Sequence, residues 1–333
     1  MPIVKAKAGE RWALEKLKTA SKAAITPLLE APPIAKKNGQ PTKSLADHIK
    51  DQCESLAKQW GTGHRFFFDL KWLHNQHGDA ATSQAFTEAR TQKLLPVPVI
   101  QPTSNAASLV AAKAIVALDK RGVMLRIRPA DLQHPDAIAQ AIQVVGLKPS
   151  DVDLLLDYRN HAMALPFDVP LVPDVAKWRT FTAASGVFPD SVSGYPSGIW
   201  HPVPRTCWTT WLSAMQSAML PRIPTLGDYT VRSPGPPASG GDPPVTMRYT
   251  VASDWLVYHS GTLQKGHARR MHAICADLVS KKEFSKPIFS AGDQEIHNTA
   301  TLVNTTPGGG QQWLQWAVSH HIEFVVAQLA LLP

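Results

Sequence analysis

The sequence predicts a mixed α/β fold: a (β/α)₈ TIM-like barrel over residues 1–285 with an appended C-terminal helical segment, 286–333, packing on it. Two observations carry this reading. Apolar β-type runs alternate with helical patterns along the chain, and the runs are nearly continuous in apolar character, as strands covered on both faces are. A doubly wound sheet with an all-α tail is the alternative, but eight strands over about 260 residues suit a closed sheet better.

The eight runs are residues 25–30 (ITPLLE), 65–71 (RFFFDLK), 95–100 (LPVPVI), 122–128 (GVMLRIR), 152–159 (VDLLLDYR), 179–185 (RTFTAAS), 223–231 (IPTLGDYTV) and 245–251 (VTMRYTV). Between them, Ser44 with Asp47 three residues on resembles a capping box. It opens a helix with Ile49, Cys53, Leu56 and Trp60 on one face and Gly61 at its end. Asn105 caps a second helix through Leu118, closed by Gly122. Pro135 opens a third, with Ile138, Ile142 and Val145, closed by Gly146. Residues 209–220 and 266–282 are also helical in pattern. In the latter Met271, Ile274, Cys275 and Leu278 share a face. Between the fifth and sixth runs only 170–177 offers a helix, and it holds two prolines. The Pro/Gly-rich stretch 233–244 is expected to be a mobile surface loop.

Composition bounds the function without choosing it. With 44% apolar and 18% charged residues, a sizeable core is available and global disorder is excluded. Three scattered cysteines without a CxxC argue against a disulfide framework or thiolate metal site and fit a reducing cytoplasm. No apolar stretch is long enough for a membrane span, and no signal peptide is visible. The net charge is +8. The first fifty residues hold ten Lys or Arg against four Asp or Glu, which makes either a solvated helical face or a basic flank for nucleic acid.

Barrel chemistry sits at the carboxyl ends of strands. Those ends bring Glu30, Asp69 with Lys71, Arg126 with Arg128, Asp157 with Arg159, Tyr229 and Arg248. A charge placed directly after an apolar run either forms a buried pair or lines a pocket. Arginine forks bind phosphate bidentately, and clustered carboxylates hold Mg²⁺ or act as general acid and base. His74 and His77 read as loop residues. His320 and His321 are adjacent, so in a helix only one can face a given ligand. No HExxH, P-loop or GxSxG pattern occurs. Trp208, Trp211, Trp255 and Tyr258 read as core in preference to base-stacking surfaces.

Several separated strings resemble the phage-associated beta protein family. They are KAGERWALEKL from Lys7, ITPLLEAP from Ile25, FDL ending at Leu70, VFP from Val187, GDY ending at Tyr229, RYT from Arg248, FSAGDQEI from Phe289, and SHHI from Ser319. They span nearly the whole chain. Ser319 stands where the family pattern has Asn, and His259 where Arg is commoner. The resemblance implies a phage–host conflict role, defence or exclusion, without a settled reaction.

The expected function is therefore a cytoplasmic protein whose barrel mouth binds a phosphate-bearing ligand, nucleotide or nucleic acid. In a hydrolytic version, acting on phosphoester bonds with metal help such as Mg²⁺, Glu30, Asp69 and Asp157 are ligands or acid/base groups. Lys71, Arg128, Arg159 and Arg248 hold phosphate, and Tyr229, Asp293, His320 and His321 close the site. The competing expectation is a non-enzymatic module that recognises a phage or host protein.

Overall fold

The computed structural model describes residues 1–217, 219–235, 244–262 and 269–332. The chain divides into two compact units. The first is Met1–Ala6, Thr26–Val187 and Cys207–Tyr229; the second is Lys7–Ile25, Phe188–Thr206 and Thr230–Pro333. The sequence boundary between residues 285 and 286 falls inside the second unit.

The first unit is built on eight parallel strands. In sheet order they are Ile3–Lys5, Leu28–Glu30, Arg65–Asp69, Leu95–Ile100, Val123–Ile127, Val152–Asp157, Thr180–Ser185 and Thr225–Asp228. An isolated parallel bridge between Pro2 and Asp228 joins the two edge strands, so the sheet is a nearly closed barrel. Seven of the eight expected runs enter it. Ile3–Lys5 supplies the remaining strand. Just before it, the Met1 ammonium donates to the Leu226 carbonyl at 2.6 Å, on the strand at the far edge of the sheet.

The run at 245–251 is a correction. Pro244–Thr250 pairs antiparallel with Asp254–Thr262, which pairs antiparallel with Trp200–Pro204, in the second unit. The physical reason is legible: Val245, Met247 and Tyr249 are buried, while Thr246 and Arg248 between them are half-buried. Such alternation marks a strand with one covered face, not a parallel strand covered on both.

The helices follow their caps. Leu45–Gln59 is opened by Ser44, whose hydroxyl accepts from the Asp47 amide, and Ala106–Asp119 by Asn105, which accepts from the Ser108 amide. Pro135–Val145 ends on Gly146 in the left-handed region. Two expectations are corrected. His74 and His77 lie in a helix, Lys71–His77, terminated by Gly78 at φ +67. Instead of a helix over 170–177, a short helix Leu165–Asp168 continues into a 3₁₀ turn Val169–Leu171, because Pro170 and Pro173 deny further helical donors. Most of the expected mobile loop, residues 236–243, lies outside the described residues.

In the second unit, Arg270–Ser280, Ala291–Ala300 and Gly310–Ala330 pack with the antiparallel sheet. Met271, Ile274, Cys275 and Leu278 join Met247, Tyr249, Trp313 and Trp316 in its core. Gly292 lets two helices touch: a β-carbon there would lie 2.1 Å from the Trp316 carbonyl oxygen. No helix among the described residues is long and apolar enough to cross a membrane.

Candidate functional site

Side chains along a strand alternate faces, so one interior residue fixes the others on its strand. Ile3, Leu28, Phe67, Val97, Met124, Leu155 and Ala184, one from each of seven strands, form a buried cluster with Tyr229. Two positions further toward the carboxyl ends, the same inward face carries Lys5, Glu30, Asp69, Arg126 and Asp157, all buried. The sequence therefore places a charged layer directly on an apolar one.

Arg126 is the centre of that layer. Its Nη1 donates to Glu30 Oε1 at 2.9 Å and to Asp69 Oδ2 at 2.5 Å. Its Nε donates to Asp157 Oδ2 at 2.9 Å, and its Nη2 to the Tyr229 hydroxyl at 2.6 Å. That hydroxyl donates onward to Asp157 at 2.8 Å. The carboxylates are also gripped by backbone: the Arg159 amide donates to Asp157 Oδ1 and the Lys71 amide to Asp69 Oδ1, both at 2.9 Å. Arg159, held at φ +57, brings its Nη1 within 3.8 Å of Glu30.

The electrostatics follow from this geometry. Burial alone would raise the Asp157 carboxyl, but the Arg126 guanidinium, the Arg159 amide and the Tyr229 hydroxyl outweigh it and hold it below the usual carboxylate range. Burial pushes the Tyr229 phenol well above its ordinary value, so it stays protonated and donates. At the rim, burial and then repulsion from Arg128 lower the Lys71 ammonium, with Arg159 and Arg126 acting in the same sense and Asp69 opposing them. Lys71 also lines a cleft of about 390 Å³ with Asp69, His74, Gln101, Ser104 and Asn105.

Three carboxylates converging on one point could hold a divalent cation. Here that point is filled by the Arg126 guanidinium, and the described residues contain no group of His, Cys, Asp or Glu arranged to hold a metal.

The structure gathers Glu30, Asp69, Asp157, Arg159 and Tyr229 as expected, with Lys71 and Arg128 beside them. The remaining expected residues belong to the second unit. There Arg248 donates to the Val231 carbonyl at 3.0 Å and lies over the Phe188 ring. Asp293 accepts from Ser290 at 2.5 Å and from Tyr249 at 2.7 Å. His320 sits between Asp293 Oδ2 at 2.9 Å and the Thr250 carbonyl at 2.8 Å, stacked on Tyr249. His321 Nδ1 is 2.8 Å from the Thr250 hydroxyl. Asp293, His320 and His321 are fully buried among protein partners, an arrangement that fixes the Gly310–Ala330 helix to the sheet. Trp208, Trp211 and Trp255 are buried as well.

The family model described as Beta protein matches residues 1–327. The chain belongs to the beta protein family. Neither the comparison with curated proteins nor that with solved structures returned a match.

In this beta protein, sequence reasoning named Arg126 at a strand end but gave it no role, and left Lys5 out of the site. The signal for Arg126 was one guanidinium within the run VMLRI, whose other members are apolar. Two positions after Met124, it shares the inward face. At the opposite end of the same face, Asp153 accepts from Arg65 at 2.5 Å, Arg179 at 2.7 Å and Thr180 at 2.7 Å. Charged layers thus close the barrel core of this beta protein from both ends.

Proposed function

We propose that the eight-stranded sheet is a barrel of the (β/α)₈ type and that its carboxyl-end mouth binds a phosphate-bearing ligand of nucleotide size. The observation that carries this reading is the crowding of Lys71, Arg128 and Arg159 over the acidic layer, with Lys71 also lining a 390 Å³ cleft. Sequential strands that are neighbours and all parallel support the barrel type. A cleft of this volume suits a small molecule, and guanidinium and ammonium groups suit its phosphates.

Binding is better supported than hydrolysis. Glu30, Asp69 and Asp157 each accept a charge-assisted hydrogen bond from Arg126, and Asp157 is held ionised, which suits a fixed electrostatic floor rather than a general acid. The reading extends to the phage–host conflict role that the sequence resemblance implies, with the bound nucleotide or nucleic acid as the recognised species.

Titration calorimetry with ATP and with a single-stranded oligonucleotide, at low and high salt, tests the reading. Lys71→Gln and Arg159→Gln are each expected to weaken ATP binding about tenfold, the loss of one charge-assisted contact. ATP and oligonucleotide both failing to bind at low salt would overturn it.

A further inference from the structure

The second unit carries a concentration of positive charge that the barrel mouth does not use. Lys7 is the N-cap of the Ala8–Glu15 helix, and Arg11 follows one turn later, its amide bonded to the Lys7 carbonyl. Arg232 Nη1 is 2.9 Å from Glu10 Oε1 on the same helix. Arg248 bonds the carbonyl of Val231, the residue directly before Arg232, and its guanidinium lies 4.8 Å from the centre of the Phe188 ring. Lys7, Arg11, Arg232 and Arg248 are all half-buried, so each keeps some contact with solvent.

Glu10 is the carboxylate that compensates this group, and it is engaged by Arg232. Arg248 has no carboxylate partner among the described residues; its partners are a carbonyl and an aromatic face. Burial and the neighbouring Arg232 push the Arg248 guanidinium down to about 10. Burial, with Arg232 adding to it, also lowers Lys7, and burial lowers Arg11. Lys7 sits at the end where the helix dipole is itself positive and amide donors are unsatisfied, and Arg11 lies one turn further in. Cations crowded at such a point lose hydration without matching counter-charge, a cost that an anion relieves.

We propose that Arg248, Arg232 and Lys7 form a phosphate-binding site in the second unit, sharing no residue with the Lys71, Arg128 and Arg159 set. Arg248 and Arg232 are already oriented by the Val231 carbonyl and by Glu10, so their remaining donors are fixed before a ligand arrives. The group recognised is a phosphate, either free or within a phosphodiester chain. Arg11 adds charge at the rim.

The test is calorimetry of the full chain with inorganic phosphate at low salt, then with a short oligothymidylate as competitor. Arg248→Gln and Lys7→Gln should each weaken phosphate binding at least tenfold, while Lys93→Gln, at an exposed lysine outside both sites, leaves it unchanged. Displacement of phosphate by the oligonucleotide identifies a phosphodiester source; failure of displacement identifies free phosphate. Loss of all phosphate binding in Lys71→Gln, or full retention in both Arg248→Gln and Lys7→Gln, overturns the proposal. Folding is checked by thermal melting. Arg248→Gln removes an uncompensated charge and should melt no lower than the parent in phosphate-free buffer, but its melting point should no longer rise when phosphate is added. A phosphate-dependent rise equal to that of the parent also overturns the proposal.

Discussion

Replacing Arg126 with methionine removes the one group that all three interior carboxylates share. Glu30, Asp69 and Asp157 are at most 3% exposed, so water cannot replace the lost hydrogen bonds. Breaking a buried ion pair from one side costs about 3–5 kcal/mol, because the surviving charge is left uncompensated. At about 2–4 °C per kcal/mol for a unit of this size, the barrel should melt roughly 6–20 °C lower at pH 7. The pH dependence supplies a second check with a definite sign. In the parent, the Asp157 carboxyl is held below its unfolded value, so its contribution is present above the ordinary carboxylate range and is lost as pH falls through the folded value. In Arg126→Met the cation is gone and burial dominates. The folded state then binds protons more readily than the unfolded chain, and stability rises as pH falls from 7 toward 5. Thermal melting followed by circular dichroism at pH 7 and pH 5 measures both effects. A variant that melts within about 2 °C of the parent at pH 7, and with the same pH slope, would refute the central role given to Arg126.

Two further outcomes follow from packing. Gly292→Ala places a methyl group 2.1 Å from the Trp316 carbonyl oxygen, so the two helices must separate; a loss of about 1–3 kcal/mol is expected in urea unfolding, and an unchanged midpoint would contradict the contact. Burial pushes the Cys53 and Cys275 thiols up to about 12, so both should stay unreactive toward a thiol-specific chromogenic disulfide at pH 7 until denaturant is added; rapid labelling of either in the native protein would contradict their placement.

Local chemistry was legible in the sequence wherever a short-range rule decides the outcome. Ser44, Asn105 and Gly146 mark helix ends because they satisfy backbone groups within one turn. The seven apolar runs that became barrel strands announce burial on both faces. Charges directly after those runs, at Glu30, Asp69, Asp157 and Arg159, were recognisable as a converging set, because the carboxyl ends of parallel strands in one barrel meet at one mouth.

Other features depended on partners far away in the chain. Ile3–Lys5 is three residues long, too short to show a period, and becomes a strand only because Leu28–Glu30 lies beside it. The alternation of Val245, Met247 and Tyr249 with Thr246 and Arg248 did mark a strand with one covered face. Its seat in an antiparallel sheet, and with it the place of Arg248 outside the barrel unit, came from pairing with Asp254–Thr262. Arg126 looked like one charge among several at strand ends. Its position between Glu30, Asp69, Asp157 and Tyr229, up to 103 residues distant, was decided by barrel closure, which brings the inward faces of different strands within hydrogen-bond reach. The sequence alone determines which residues can be charged, apolar or capping. Which charges neutralise one another is a property of distance, and only the tertiary structure sets distance.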